Sequence, residues 1–573
     1  MTKLHLPIIL LAILLAFPLR AEEMKTVTMS SLGALPDTGA DATPAVAAAL
    51  QQVRGTHARR LVFAPGRYDF WPDRAPEKYY FISNNDPGMK RIAFFLDHME
   101  NLEIDGQGAR FVFHGFVNPF LLDGAKNITL KNFSIDWVRP FNSEGKILAV
   151  NPDSVDLEFS DQFPYKIVHG VLTFVDREKM PNIYPAGGLL EFDAAKRETA
   201  FQVTDHFEGP NYLADEIAPH QVRVKIDGLK ATPGNILVFA DGGRRCPGIT
   251  ISDSARTTLD HVTVYHAGGM AVIAQRSRDV TLNHVQVTPS PGTGRVISAS
   301  ADATHFANCL GQISMIDCLF ENQEDDATNI HGIYAQVDRE MSPTEMEVRL
   351  VHPQQFGFDF IVPGEDLELV HGSSLVAFGK ACVKDVRRIN SEYTHVTLCE
   401  PLPKELVPGD VVASLAGYPD VLVRGCTIQR NRARGLLLGT RGKIVIENNT
   451  FHTPGAAILF EGDGRFWFEQ AGVRNCEIRH NTFDNCNYGT WGNAAIQVGS
   501  GIDPSERALG RYNRNIMIED NTFRIFDPRI LNVYCIDGLT FRNNKVVRST
   551  DYPAIHTNAK PFEVSFSDHV TID

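Results

Sequence analysis

The stretch Ile446-Glu-Asn-Asn-Thr-Phe451 is one copy of a six-residue pattern that recurs along the chain and decides its fold. The pattern is an aliphatic residue, two polar residues, then Asn, Cys or an aliphatic residue, another polar residue, and finally an aliphatic residue or Phe. Further copies lie at 130–135, 259–264, 282–287, 315–320, 423–428, 478–483, 518–523 and 541–546.

The spacing of these copies indicates a solenoid. Copies start 23 residues apart at positions 259 and 282, at 423 and 446, and at 518 and 541, whereas the gaps that follow the copies at 282, 446 and 478 are 32 to 40 residues. Short β-patterned runs that repeat in this way, without helical segments between them, are typical of stacked coils. The recurrent Asn fits an internal ladder of side-chain amides. We predict an all-β fold, a right-handed parallel β-helix of the pectin-lyase-like type.

Two segments interrupt the repeat, at residues 139–239 and 334–418. Both alternate apolar and polar residues, lack the recurrent Asn, and contain similar Pro-Gly turns at 233–234 and 408–409. We predict that each forms a small antiparallel β-barrel or sandwich. The rest of the mature chain then divides into an N-terminal cap with the first coils at 22–138, central coils at 240–333 and C-terminal coils at 419–573.

The N-terminus predicts export. Lys3 precedes an apolar run from Leu6 to Pro18, which is too short for a membrane span and is typical of a signal peptide at residues 1–21. Export to a periplasm or the medium follows, and no later stretch is expected to cross a membrane. The net charge of −14 argues against nucleic acid as a partner. Of the nine cysteines, Cys382 and Cys399 could pair, and the others suit small buried positions.

Three aspartates carry the main chemical signal, in the strings Ser-Ala-Asp302-Ala-Thr-His305 and Glu-Asp325-Asp326-Ala-Thr-Asn329-Ile-His331-Gly332. Equivalent corners in other coils hold small residues such as Gly269 and Ala433, so the turn itself does not require an acid. If the long coil that starts at Leu282 has an excess of ten residues, Asp302 stacks on Asp325. Strand spacing would then separate them by about 4.8 Å, and the pKa of at least one would be raised.

Such a cluster has several interpretations. A carboxylic acid that protonates a leaving oxygen, beside a carboxylate that activates water, would hydrolyse a glycoside. A solvated turn, a calcium-dependent β-helix lyase, another β-helix polysaccharide hydrolase and a non-catalytic glycan-binding β-helix are the alternatives.

These acidic strings, on a β-helix with two insertions, resemble glycoside hydrolase family 110. Members are bacterial exo-α-1,3-galactosidases and include enzymes that remove the terminal galactose of the blood group B antigen. The resemblance implies an inverting hydrolase without metal or cofactor, in which Asp302, Asp325 and Asp326 are the three carboxylates. The trio is also similar to that of family 28 polygalacturonases. The chain lacks the Gly-His-Gly and Arg-Ile-Lys strings of that family, which favours a neutral galactoside over a uronate.

Our hypothesis makes Asp325 the general acid and lets Asp302 and Asp326 hold the water, although the roles of Asp325 and Asp326 could be exchanged. Galactose also requires polar groups for its hydroxyls and an aromatic face. The candidates are Tyr265, Gln275, Arg276, His305, Asn329, His331, Glu461, Tyr488 and Trp491, of which His305, Asn329 and His331 are closest to the aspartates in sequence. Trp467 is expected to be a packing aromatic. The choice between branched and linear galactosides stays open, as does pairing into a homodimer.

Overall fold

The repeated six-residue pattern folds into the two long sheets of a parallel β-helix. The computed structural model describes residues 25–54, 58–207, 209 and 211–573, so the predicted signal peptide lies outside the described residues. The larger sheet has 21 strands, paired in parallel. Its strands are Lys25–Thr28, Ala58–Val62, Gly66–Phe70, Glu100–Phe113, Lys126–Trp137, Ala255–Val264, Arg278–Asn283, Gln286–Val287, Leu310–Ile316, Leu319–Glu321, Asp420–Arg424, Thr427–Gln429, Ile444–Glu447, Thr450–His452, Arg474–Arg479, Thr482–Asp484, Asn513–Glu519, Thr522–Ile525, Ile536–Arg542, Lys545–Arg548 and Asp568–Ile572.

The second long sheet, here called the site sheet, has 12 strands, one from most coils. Only its first pair is antiparallel, and the later pairs are parallel. Its strands, in spatial order, are Glu77–Tyr80, Gly88–Asp97, Asn118–Asp123, Ile249–Ser252, Val272–Gln275, Thr304–Ala307, Thr328–His331, Leu436–Gly439, Ile458–Phe460, Ile496–Val498, Leu531–Tyr534 and Phe562–Ser565.

The interior of the coils is built by the repeated residues. The side-chain amide of Asn449 donates to Asn481 at 2.9 Å, and that of Asn481 donates to Asn521 at 3.0 Å. The Phe ring at the end of the pattern also stacks, with 5.1 Å between the ring centres of Phe451 and Phe483. Both ladders run along the axis, so each coil fixes the register of the next.

Short helices complete the β-helix. The α-helix Thr43–Val53 buries Val46, Ala49 and Leu50 at the N-terminal end, where it packs against the strand Gly88–Asp97. Single 3₁₀ turns lie at Met29–Leu32, Pro72–Arg74 and Pro353–Gln355. No helix in the described part of the chain is long and apolar enough to cross a membrane.

Both interruptions of the repeat form antiparallel domains, as predicted. The first insertion has a seven-stranded sheet of Glu198–Thr199, Ala186–Asp193, Ile236–Asp241, Ser143–Asn151, Ser154–Phe159, Gln221–Lys225 and Ala214–Ala218, and a three-stranded sheet of Tyr165–Val168, Val171–Val175 and Ile183–Tyr184. The second is a closed barrel of Ala335–Ser342, Glu345–Arg349, Tyr393–Leu398, Ala377–Arg388, Asp366–Val370 and Val411–Ser414.

The cysteines behave as the sequence suggests. Cys382 and Cys399 form a disulfide within the second insertion, with their Cα atoms 5.4 Å apart. Cys318 and Cys426, which share one position of the repeat, are free and buried in the β-helix core.

Candidate active site

Three aspartates meet at the corner that leads into the site sheet. The register pairs Thr304 with Thr328, and the backbone N–H of Ala303 donates to the carbonyl of Asp326 at 3.0 Å. Asp302 is therefore stacked on Asp326, and the predicted partner Asp325 lies one residue away. The expected register is wrong by one residue because only nine of the ten excess residues of the long coil precede Thr304, which pairs with Val272. The tenth lies at an irregular pairing between Leu310 and Ile313, after which Met315 pairs with Leu282 as expected.

The three carboxyl groups form one compact cluster. One oxygen of each lies within 4.8 Å of an oxygen of the other two. Asp302 and Asp326 are each only 3% exposed, and the side chain of Asp325 is 18% exposed. Like charges this close, with little water to screen them, make the three groups titrate as one coupled unit.

Arginines neutralise two of the three acids. Asp325 accepts hydrogen bonds from Arg244 at 2.8 Å and from Arg432 at 3.3 Å. Burial disfavours its charged form, but the charges of Arg432 and Arg244 outweigh burial and lower the pKa of Asp325. Asp326 is held by Arg434, whose guanidinium donates to both carboxylate oxygens at 2.8 and 2.7 Å. Burial nevertheless raises the pKa of Asp326 to about 7.

Asp302 is held by a chain of histidines instead. His331 Nδ1 lies 2.8 Å from the carbonyl oxygen of Gly332, so Nδ1 carries the hydrogen and, in a neutral ring, Nε2 accepts. His305 Nε2 then donates to His331 Nε2 at 2.9 Å. The remaining nitrogen, His305 Nδ1, accepts, and the hydrogen in its 2.7 Å contact belongs to Asp302.

The buried environment supports this assignment of the proton, which is inferred from the hydrogen-bond network. Burial lowers the pKa of His305 to about 4 and so favours the neutral ring. Burial, together with the negative charge of Asp325, raises the pKa of Asp302 to about 8. At neutral pH the cluster therefore holds a proton, and it rests on Asp302 rather than on Asp325.

The trio lies in a cavity of about 270 Å³ whose walls are polar. Asn329 donates to Glu469 at 3.1 Å, and both line the cavity. Glu461 lines it as well, and burial raises the pKa of Glu461 to about 7. Trp467, 39% exposed, supplies an aromatic wall. The cavity thus combines carboxyls, amides and an aromatic face, the groups that recognise a sugar.

The Trp467 loop is fixed by a local turn. One oxygen of Asp463 accepts hydrogen bonds from the backbone N–H groups of Arg465, Phe466 and Trp467 at 2.6 to 3.0 Å. This turn holds Trp467 over the cavity.

A larger cavity of about 540 Å³ lies beside the first insertion, between Glu144 and Arg295. Its described walls include none of the three aspartates. The reactive site is therefore identified by the coupled carboxyl groups and not by the size of the cavity.

Comparison with known proteins agrees with this geometry. Family models match residues 143–237 as "GLAA-B beta-barrel domain I", residues 345–412 as "GLAA-B beta-barrel domain II" and residues 413–568 as "Right handed beta helix region". The α-1,3-galactosidase A of Shewanella woodyi is 38% identical over 552 residues, which are 95% of this chain and 90% of that protein. The α-1,3-galactosidase B of Bacteroides thetaiotaomicron is 33% identical and covers 97% of this chain and 91% of its own length.

The chain belongs to glycoside hydrolase family 110. A solved structure with a similar fold is the family 28 exopolygalacturonase of Yersinia enterocolitica, with a TM-score of 0.39 at 11% identity. The match covers 96% of this chain and 78% of the polygalacturonase chain.

Some predicted residues do line the aspartate cavity of this family 110 chain. His305, Asn329 and Glu461 are in its walls, and His331 lies directly behind His305. Trp491 is near the site but outside the described walls. Its indole N–H donates to Asp205 at 3.2 Å.

Four further candidates lie elsewhere. The amide of Gln275 bonds to the backbone of Ser83 and Phe81, and Arg276 is paired with Asp253 at 2.6 Å. Tyr488 is buried in a stack with Tyr552. The described walls of the cavity also exclude Tyr265. Their positions give no support to the predicted contact with galactose, because three are engaged in structural interactions and all four lie outside the cavity.

Sequence reasoning missed the three arginines, Asn84 and Glu469 among the residues that line the cavity, and it assigned Trp467 to packing. Arg432 and Arg434 flank Ala433, the residue of the next coil that the repeat aligns with Asp325. The motif Arg-Ala-Arg at this corner could therefore have predicted cations beside the aspartates. Trp467 was expected to pack, but it lines the cavity.

Proposed function

We propose that this protein is an exo-acting α-1,3-galactosidase that removes terminal galactose from glycans. The observation that carries the proposal is the coupled aspartate trio, in a chain of a family whose relatives are α-1,3-galactosidases. A cavity of about 270 Å³ suits one pyranose ring rather than a run of sugars, which fits exo action.

The distribution of protons among the three aspartates suggests the catalytic role of each. The cluster holds a proton on Asp302 and keeps Asp325 charged, so the trio can donate to the leaving oxygen and activate water in one cycle. We keep Asp325 as the group that faces the leaving oxygen. The proton stored on Asp302 passes to Asp325 and from there to the leaving oxygen, which leaves Asp302 as a carboxylate. Asp302 and Asp326 then hold the water.

We also propose inversion of the anomeric centre. Inverting enzymes usually hold the two carboxyls about 6.5–9.5 Å apart, and the nearest oxygens here lie within 4.8 Å. A water that donates one hydrogen bond to each of two carboxylates spans about 4.4 Å between the acceptor oxygens, because its two O–H bonds diverge by about 105°. The trio can therefore hold a water between two of its members while the third addresses the leaving group.

Blood group B structures and linear Galα1-3Gal both remain candidate substrates, in glycoproteins, glycolipids or mucins. The signal-peptide pattern supports export, and we propose a periplasmic or secreted location. The flanks of the β-helix and the inserted domains could pair between two copies of the chain, so we keep the expectation of a homodimer.

Variants of each aspartate test the function. Asp302→Asn, Asp325→Asn and Asp326→Asn should each reduce galactose release from Galα1-3Gal by about 10²–10⁴-fold, the range that acid–base groups contribute. Asp260→Asn, in the exposed Asp260–His261–His284 cluster, is the matched control and should keep full activity. Thermal melts should change little in all four variants. A fully active Asp302→Asn enzyme would remove the trio from the mechanism.

A further inference from the structure

A second cavity, of about 320 Å³, adjoins the aspartate cavity beneath the first insertion. The two cavities share Arg244, Asp325 and Arg432 in their walls. Asp325, ion-paired with both arginines, therefore lies at the boundary and faces two compartments.

This position locates the bond that is cleaved. A group that protonates or polarises the glycosidic oxygen must lie where the two linked sugars meet. Asp325 is the member of the trio found in the walls of both cavities. Since the aspartate cavity gathers all three acids around the galactose, the second cavity is left for the sugar that departs.

An exposed aromatic ring lines the second cavity. Phe207 is 75% exposed and lies in the wall of this cavity. The ring lies against the backbone of Gly188, where an added Cβ atom would come within 2.6 Å of the Phe207 ring. The glycine thus allows the ring to lie close to the strand, as an aromatic face that a pyranose can stack on.

A buried carboxyl group lines the same cavity. Glu324 is 7% exposed, and its carboxyl group interacts with the side chain of Asn142, but neither oxygen has a hydrogen bond of normal geometry within the described residues. Buried polar atoms of this kind are costly unless something satisfies them. The hydroxyl groups of a sugar can do so, because each can both donate and accept.

The wall of the second cavity is anchored to the aspartate site. Arg432 forms two hydrogen bonds with Asp205 of the first insertion, at 2.8 and 2.9 Å, and a third with Asp325. Trp491 also donates to Asp205. The insertion is therefore held in place before any ligand binds.

We propose that the second cavity binds the leaving sugar, a neutral hexopyranose, and that Phe207 and Glu324 determine the preference for that sugar. The proposal rests on the galactosidase function proposed above. A neutral ligand is favoured because the two arginines in the described walls, Arg244 and Arg432, already pair with Asp325 and Asp205. A sialylated or uronate leaving group would find no unpaired cation among these described walls.

Two substrates separate this proposal from the catalytic one. Galα1-3Gal fills both cavities, whereas α-galactosyl fluoride has no leaving sugar and uses only the aspartate cavity. Phe207→Ala should lower kcat/KM for Galα1-3Gal about tenfold, mainly through KM. Its kcat/KM for the fluoride should stay within about twofold of wild type, and Phe207→Trp should restore the disaccharide rate. Glu324→Leu should show the same selective loss, and its fluoride rate reports whether it has folded.

Met180→Ala is the matched control, because Met180 is 84% exposed on the same insertion and lies outside the described walls of both cavities. Equal losses on both substrates in Phe207→Ala, or no loss on either, would overturn the leaving-sugar site while leaving the galactosidase function intact. A wild-type enzyme that cleaves neither substrate would instead overturn the proposed function, and this inference with it.

Discussion

Asp302 and Asp325 are close neighbours whose surroundings push their pKa values in opposite directions. Asp302 is buried against neutral histidines, and Asp325 is buried against two arginines. Separating the pKa values of adjacent carboxyls is how one site holds an acid and a base at the same pH. The residue that stores the proton need not be the one that delivers it, because the trio is coupled.

The arginine Arg244 should set the pH range of the enzyme. Its charge lowers the pKa of both Asp302 and Asp325. Because the three aspartates titrate as one unit, activity should fall on the acid side as the cluster takes up a further proton and on the basic side as it loses its last proton. Removing the charge in Arg244→Gln raises both pKa values, so both limbs of the kcat/KM profile should move to higher pH.

The control for this profile is Arg276→Gln, since Arg276 pairs with Asp253 away from the cavity. Its limbs should coincide with those of the wild-type enzyme. If Arg244→Gln lowers the rate without moving either limb, Arg244 does not tune the aspartates electrostatically.

The sequence predicted the three aspartates but not their environment. Acids at a corner where other coils have Gly or Ala are visible in one chain. The pairing of Arg434 with Asp326 joins residues 108 positions apart, and the second insertion lies between them. This pairing can be predicted only if the coil after the insertion is aligned with the coil that carries Asp326. The position of Ala433 in the repeat provides that alignment.

At the scale of single elements, the Asn ladder is the clearest case of sequence that dictates structure. The side chain of Asn481 donates to Ile446 O at 2.9 Å and to Asn521 at 3.0 Å. It also accepts from the backbone and the side-chain amide of Asn449, both at 2.9 Å. One residue thus satisfies groups in two adjacent coils.

Loss of this side chain should destabilise the β-helix without changing the chemistry. Asn481→Ala leaves several buried donors and acceptors unpaired, at about 1–3 kcal/mol for each group, so we expect a loss of at least about 2 kcal/mol in denaturant unfolding. Asn532→Ala, which removes an exposed hydrogen bond to Glu563, should cost less than about 0.5 kcal/mol. Similar losses in both variants would mean that the ladder contributes no special stability.

The strand register was harder to predict than the repeat. A period of 23 residues fixes the stacking of regular coils, but the coil that carries Asp302 contains an insertion with its own turn at 289–294. Sequence does not show where the excess residues leave the sheet. A one-residue error followed, and it exchanged Asp325 for Asp326 as the neighbour of Asp302.

At the scale of the whole molecule, the β-helix aligns the reactive groups and the insertions enclose them. Residues just before successive strands of the site sheet supply Asp302, Asp326 and Arg434. The first insertion supplies Asp205 and Phe207 on one side. The parallel stack keeps the carboxyls at coil spacing, which no single hairpin or loop could do as rigidly.

Arginines in the cluster also bear on metal dependence. Arg244, Arg432 and Arg434 donate to Asp325 and Asp326, so these carboxylates already have cationic partners. A divalent ion at the three aspartates would have to displace the arginines or lie close to their positive charges, which would repel it. We therefore expect the reaction rate to be unchanged by a chelator.

The most direct test of the central claim is time-resolved proton NMR of Galα1-3Gal hydrolysis, run with and without a chelator. The account predicts that β-galactose appears first, before mutarotation, at the same rate in both samples. Release of α-galactose first would contradict inversion by the aspartate trio, and loss of activity in the chelator would contradict catalysis by carboxyl groups alone.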